Sequence, residues 1–106
     1  MCGILLHKGN KKITSSFHSN LDKLSHRGPD SKNYIIYKDI YIGHTRLSII
    51  DLSELGNQPM ASNCGNYILS FNGEIYNFNA LKLELEDLGY RFNSSSDSEV
   101  LLYGYI

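Results

Sequence analysis

The stretch Tyr34-Ile35-Ile36-Tyr37-Lys38-Asp39-Ile40-Tyr41-Ile42 limits the possible folds more than any other part of this chain. Both arms are β-branched or aromatic, residue types that suit a pleated, half-buried surface. Only Lys38 and Asp39 separate them, so the spacing predicts a hairpin with a two-residue turn, its second arm continuing through His44 to Ile50. Further strands are expected over Gly3 to His7 and over Tyr67 to Phe71, the latter ended by Asn72-Gly73, with a short one around Tyr90 to Phe92.

Helical spacing fills the gaps. Ser15 or Ser16 can cap a helix that carries Phe17, Leu21 and Leu24 on one face, and Gly28-Pro29-Asp30 then breaks the chain. A loop is expected from Asp51 to Gly65. Leu81, Leu85 and Leu88 recur at four and three residues, and Gly89 suits the C-terminal cap of that helix. Ser96 or Asp97 opens a last helix running to Ile106, whose Val100, Leu101 and Tyr103 call for a partner surface. The class expected is α+β, with too few elements to cover both faces of a sheet.

At 106 residues, the chain makes one domain at most. Hydrophobic residues make up 42% and charged residues 20%, which argues against disorder, collagen and a disulfide-stapled scaffold. A formal net charge of -1 offers nothing to a phosphate backbone, so nucleic acid is not expected as a partner. Apolar runs such as Ile4-Leu5-Leu6 are far below the roughly 20 residues that cross a bilayer, and no secretory signal is visible at the start. Cys2 and Cys64 are therefore read as thiols in a reducing cytoplasm, and no zinc-ligand spacing occurs.

Several residues could carry chemistry. Cys2 follows an initiator Met that is readily removed before a small residue, which would leave a thiol and a free α-amine on one residue. An α-amine titrates at about 7.7–8.0, so it can act as a base near neutrality. Taken alone, a cysteine at this position is more often incidental. Asn72-Gly73 after an apolar strand is ordinarily a turn; the alternative is an oxyanion hole made by the Asn72 amide and the Gly73 N–H. Arg46 is either an edge-strand arginine with a solvated head or a bidentate grip on a carboxylate. Ser96-Asp97-Ser98-Glu99 is a helix N-terminus, or, with Glu74, a receptor for an ammonium group. His26-Arg27-Gly28-Pro29-Asp30 reads as a loop without assigned chemistry, the remaining histidines as structural or solvated, and Cys64 as an inert thiol.

In their order along the chain, Met1-Cys2-Gly3-Ile4, His26-Arg27-Gly28-Pro29-Asp30, Gly43 to Asp51, Gln58-Pro59, Phe71 to Asn77 and Ser96-Asp97-Ser98-Glu99 closely resemble the class II glutamine amidotransferase domain of glutamine-hydrolysing asparagine synthetases. The likeness covers residues 1–106. It implies an N-terminal-nucleophile hydrolase, of which this stretch would be the N-terminal portion: a four-layer αββα fold with mostly antiparallel sheets. The implied reaction hydrolyses L-glutamine to glutamate and ammonia through a thioester on an N-terminal Cys, and the ammonia passes to an ATP-dependent amidation in the parent enzyme. Cys2, Asn72 and Gly73 would be catalytic, Arg46 would hold the glutamine carboxylate, Leu47, Ser48, Ile49 and Ile50 would help form the pocket, and Glu74 and Asp97 would receive the ammonium.

The resemblance implies no cofactor or metal in this portion. ATP and Mg would belong to a C-terminal synthetase domain outside these residues. The family's glutaminase domain is longer, so activity is expected of the parent and not of this stretch alone. Glucosamine-6-phosphate synthases and amidophosphoribosyltransferases look similar at the front, but Leu-Ser-Ile-Ile-Asp after Arg46 and Glu-Ile-Tyr-Asn after Gly73 favour the asparagine synthetase branch. Beside the enzyme stand two other readings: a module that binds glutamine without cleaving it, and a structural fragment whose half-sheet pairs with other sequence or a second copy. The ammonia acceptor, aspartate or another carboxylate, and the oligomeric state, a homodimer included, stay open.

Overall fold

A computed structural model describes residues 2–9 and 14–106. Strand β1 (Gly3–Lys8), helix α1 (Thr14–Asp22), strand β2 (Ser31–Tyr37) and strand β3 (Ile40–Arg46) form the first half. A short 3-10 turn at Glu54–Gly56, strands β4 (Met60–Ala61) and β5 (Ile68–Leu69), and helices α2 (Phe78–Asp87) and α3 (Asp97–Tyr105) form the second. This is a small α+β unit with antiparallel sheets, one of three strands in the order β1-β3-β2 and one of two, β4-β5.

The expected hairpin is present. Tyr37 pairs with Ile40 across Lys38-Asp39, and Lys38 adopts a φ of 54°, the left-handed region that an L-residue enters only at a cost. β1 pairs with β3 from Gly3 opposite Thr45 to Lys8 opposite Ile40. Helix α1 covers one face of this sheet, where Phe17, Leu21 and Tyr41 form a buried cluster with Leu5 and Leu24 against it. Gly43 makes that approach possible, because a Cβ there would lie 2.9 Å from Leu21 Cδ1 and 3.1 Å from Phe17 Cζ. Burying a side chain such as Phe17 or Leu21 contributes about 1.5–3 kcal/mol. The other face carries Ile4 and Leu6 opposite His44 and Ile42, and both Ile4 and Leu6 are exposed.

Several boundaries differ from the sequence expectation, each for a local reason. β3 ends at Arg46 and does not reach Ile50, because Asp30 takes over: its N–H donates to the Arg46 carbonyl at 2.9 Å and its Oδ2 accepts from the Ser48 N–H at 2.7 Å. Leu24 lies beyond α1 in a turn, yet still packs on the core. Tyr67 to Phe71 contracts to Ile68–Leu69, since the Phe71 peptide bonds to side chains and not to a strand. No strand forms at Tyr90 to Phe92; there the rings of Tyr90 and Phe92 pack on Tyr103 at 5.6 and 5.7 Å. The expected loop of Asp51 to Gly65 includes the 3-10 turn and β4.

Helix α3 starts as expected. Ser96 is its N-cap and accepts from the Ser98 N–H at 3.1 Å. Val100, Leu102 and Tyr103 are buried, so most of its apolar face is already covered. α2 ends at Asp87, Leu88 caps it, and Gly89 follows with a φ of 99°. Its expected leucine face is only half covered: Leu81 and Leu85 are partly buried and Leu88 is exposed.

Candidate active site

Cys2 sits directly before β1 and is held at three atoms. Its backbone nitrogen donates to Asn72 Oδ1 at 3.3 Å. Its carbonyl accepts from Arg27 Nε at 3.0 Å, and its Sγ accepts from the Leu47 N–H at 3.5 Å. The pairing of β1 with β3 explains the last contact, because Gly3 lies opposite Thr45 and so delivers Cys2 to the end of β3. Arg27 reaches Cys2 because Gly28 lets its loop touch β3: a Cβ on Gly28 would lie 2.3 Å from the Thr45 carbonyl carbon.

A cavity of about 400 Å³ opens beside the thiol. That is the size of a small-molecule site, which runs to roughly 300–1,000 Å³. Its wall brings together Cys2, Arg46, Leu47, Ile49, Ile50, Asn72, Gly73, Glu74 and Asp97. Of the catalytic and glutamine-binding residues that the resemblance implied, Ser48 is the one that does not line it; Ser48 faces a neighbouring hollow with Asp30 and Asn57.

Asn72 and Gly73 form no element of their own. With Oδ1 of Asn72 occupied by Cys2, the Nδ2 donors of the same amide and the Gly73 N–H have no partner among the described residues. Asp97, 6% exposed at the first position of α3, accepts from the Ile75 N–H at 2.9 Å through Oδ2. Glu74 is exposed at the rim.

Arg46 is 6% exposed and partly committed. Nη1 donates to the Ser53 carbonyl at 2.6 Å and to Asn57 Oδ1 at 2.9 Å, and Nη2 donates to the Asp51 carbonyl. Of the five guanidinium N–H groups, the Nε–H and one on Nη2 have no partner among the described residues. Gly56 permits this packing, since a Cβ there would lie 2.4 Å from Nη2. The arginine thus shapes the loop that follows β3 while lining both the cavity and the neighbouring hollow.

That loop is secured by Asp51. Its Oδ1 accepts from Ser53 Oγ at 2.5 Å and from the Ser53 N–H at 2.8 Å, and its Oδ2 accepts from the Ser95 N–H at 2.9 Å. The Ser53 hydroxyl bond is the main cause that holds its carboxyl down at about 2, against the opposing effect of burial. Buried His44 has its pKa lowered, chiefly by burial and less by the charge of Arg46, against the raising effect of its bond to the Phe71 carbonyl. Its Nε2 meets that carbonyl at 3.2 Å. Among the described residues, no group of three or more His, Cys, Asp or Glu side chains could hold a metal ion, and no helix is long and apolar enough to cross a membrane. Cys64 is exposed in the turn after β4, where its Sγ meets Ser62 Oγ at 3.2 Å.

A family model described as a glutamine amidotransferase domain matches residues 1–106. The chain belongs to this family. It is 51% identical to glutamine-hydrolyzing asparagine synthetase 1 of Bacillus subtilis (strain 168) over 76% of its own length and 12% of that protein's. It is 39% identical to asparagine synthetase 3 of the same organism, over 100% of the chain and 18% of the relative. Against asparagine synthetase 2 of Oryza sativa subsp. japonica the identity is 37%, over 99% and 18%. This amidotransferase chain thus spans less than a fifth of the length of these relatives.

Sequence reasoning gave no role to Arg27, Asp51 or Gln58, although each falls within or beside a motif that it quoted. The available signal was position: polar side chains beside Gly or Pro, in segments too short to form an element, whose work is to bond neighbouring backbone.

Proposed function

We propose that this chain carries the glutaminase site of an asparagine synthetase-like amidotransferase. What supports the reading best is the shared cavity: Cys2, Asn72, Gly73, Arg46, Glu74 and Asp97 all border it, and among the described residues the Asn72 Nδ2, the Gly73 N–H and two N–H groups of Arg46 have no partner. A glutamine fits this charge pattern, with its carboxylate on Arg46, its ammonium on Glu74 and Asp97, and its carboxamide toward Cys2. Leu47, Ile49 and Ile50 shape the wall between.

Removal of Met1 converts the Cys2 nitrogen into an α-amine, and that amine takes the thiol proton. The sulfur forms a bond to the side-chain carboxamide carbon, and the resulting oxyanion is received by Asn72 Nδ2 and the Gly73 N–H. The intermediate collapses: the proton held by the amine passes to the leaving nitrogen, ammonia departs, and a thioester remains. Water, deprotonated by the same amine, then breaks the thioester and releases glutamate.

In the parent enzyme the ammonia goes to an ATP-dependent amidation in a C-terminal synthetase domain. None of the chemistry above passes through the ATP and Mg of that step. The αββα architecture belongs to the same reading: a second sheet would cover the face that carries Ile4 and Leu6. A thiol nucleophile also suits a reducing compartment such as the cytoplasm.

The test is ammonia release from glutamine by the full-length protein, with intact mass to follow Met1. Loss of Met1, turnover, and abolition of turnover by Cys2→Ala are expected. A processed protein that is inert, or indifferent to Cys2→Ala, refutes the reading, and calorimetric binding of glutamine without turnover identifies a binding module instead.

A further inference from the structure

The peptide of Phe71 is held from both sides by buried side chains. Its N–H donates to Gln58 Oε1 at 2.5 Å, and its carbonyl meets His44 Nε2 at 3.2 Å. Gln58 is 5% exposed and His44 1%. The other end of the Gln58 amide, Nε2, donates to Ser98 Oγ at 2.9 Å. Phe71 immediately precedes Asn72, and Ser98 immediately follows Asp97. One carboxamide therefore joins the segment that supplies the oxyanion donors to the helix end that supplies the ammonium receptor. An apolar side chain of the same shape would leave the Phe71 N–H and the Ser98 hydroxyl without these partners, and buried polar groups are expensive to orphan.

We propose that Gln58 is a positioning residue for glutamine hydrolysis, setting the register of the Asn72-Gly73 donors against Asp97 at the head of α3. The proposal rests on the glutaminase reading above. Gln58 borders the cavity, and each end of its amide holds one protein partner, the Phe71 N–H on Oε1 and the Ser98 hydroxyl on Nε2; the role assigned to it is exerted through these two neighbours. Misplaced donors forfeit transition-state stabilisation, so the effect falls on kcat.

The experiment is a double-mutant cycle in the full-length protein, read as ammonia release over a range of glutamine concentrations with folding checked by circular dichroism. Gln58→Met is expected to lower kcat by roughly 10- to 100-fold, below the 10²–10³ ceiling for loss of an oxyanion donor. In an Asn72→Ala background the same change is expected to cost less than about threefold, because a positioning residue has little left to position. An undiminished loss in that background, or wild-type kcat for Gln58→Met, overturns the proposal while the glutaminase reading stands. If Gln58→Met does not fold, Ser98→Ala replaces it, with about a threefold loss expected that disappears beside Asn72→Ala; a loss that persists there overturns the proposal. A wild-type protein without Cys2-dependent turnover removes both readings together.

Discussion

The backbone nitrogen of Cys2 and the side-chain oxygen of Asn72 lie 3.3 Å apart, although 70 positions separate them in the chain. This contact gives one amide two tasks in the proposed function. Its oxygen holds the residue that carries the thiol, and its nitrogen, without a partner among the described residues, is the proposed oxyanion donor. Four predictions follow from this site and its supports.

Asn72→Asp separates the two tasks. The aspartate keeps an acceptor for the Cys2 nitrogen but has no donor for an oxyanion. We expect kcat for glutamine hydrolysis to fall by at least about 10²-fold, with a smaller change in KM. Steady-state ammonia release checks this, and near-wild-type turnover would remove Asn72 from the oxyanion hole.

Arg46→Lys tests the proposed grip on a glutamine carboxylate. A lysine ammonium has three donors at one point and cannot bond the Asp51 and Ser53 carbonyls, Asn57 and a ligand as a planar fork does. Loss of a charged hydrogen bond, about 1.5–3 kcal/mol, predicts a rise of at least about tenfold in KM. Thermal melting should show a lower midpoint as the loop after β3 loosens. Unchanged KM would confine Arg46 to a structural role.

Asp51 should make stability depend on acid pH. Its native carboxyl titrates at about 2, below the ordinary 3.8, so the ionised form is favoured by folding. The contribution is complete above the ordinary value and is lost as pH falls from about 4 toward 2. Asp51→Asn should therefore cost about 2 kcal/mol near neutrality, and the difference from wild type should shrink over that window. Denaturant titrations at several pH values measure it; a gap that stays constant with pH would contradict the account.

Gly28→Ala should damage site and fold together. The new methyl would sit 2.3 to 2.4 Å from the backbone of Thr45 and Arg46, which cannot yield as a flexible side chain can. Overpacking of this kind costs about 1–3 kcal/mol. The shift also moves Arg27 away from the Cys2 carbonyl, so kcat should drop more than stability alone explains. A fully active, fully stable variant would show that the loop can relax.

Local order was written plainly in the residues. The arms around Lys38-Asp39 are β-branched or aromatic, and a two-residue connection lets them pair with each other, while Ser96 can bond the free N–H groups of a helix start. Other boundaries depended on distant partners. β3 stops at Arg46 because Asp30 captures the next backbone groups, and the expected strand at Tyr90 to Phe92 is displaced by ring packing on Tyr103.

The motifs by themselves determined which chemical groups this protein owns: an early thiol, an Asn-Gly pair, an arginine fork and two acids, in an order that matches one family. Only the tertiary structure decided that they share one cavity, that Arg46 bonds the loop after β3 while lining that cavity, and that Gln58 ties Phe71 to Ser98. The physical reason is range. Propensity and periodicity report on neighbours a few residues apart, whereas a buried hydrogen bond is chosen by whichever partner the folded chain brings within about 3 Å.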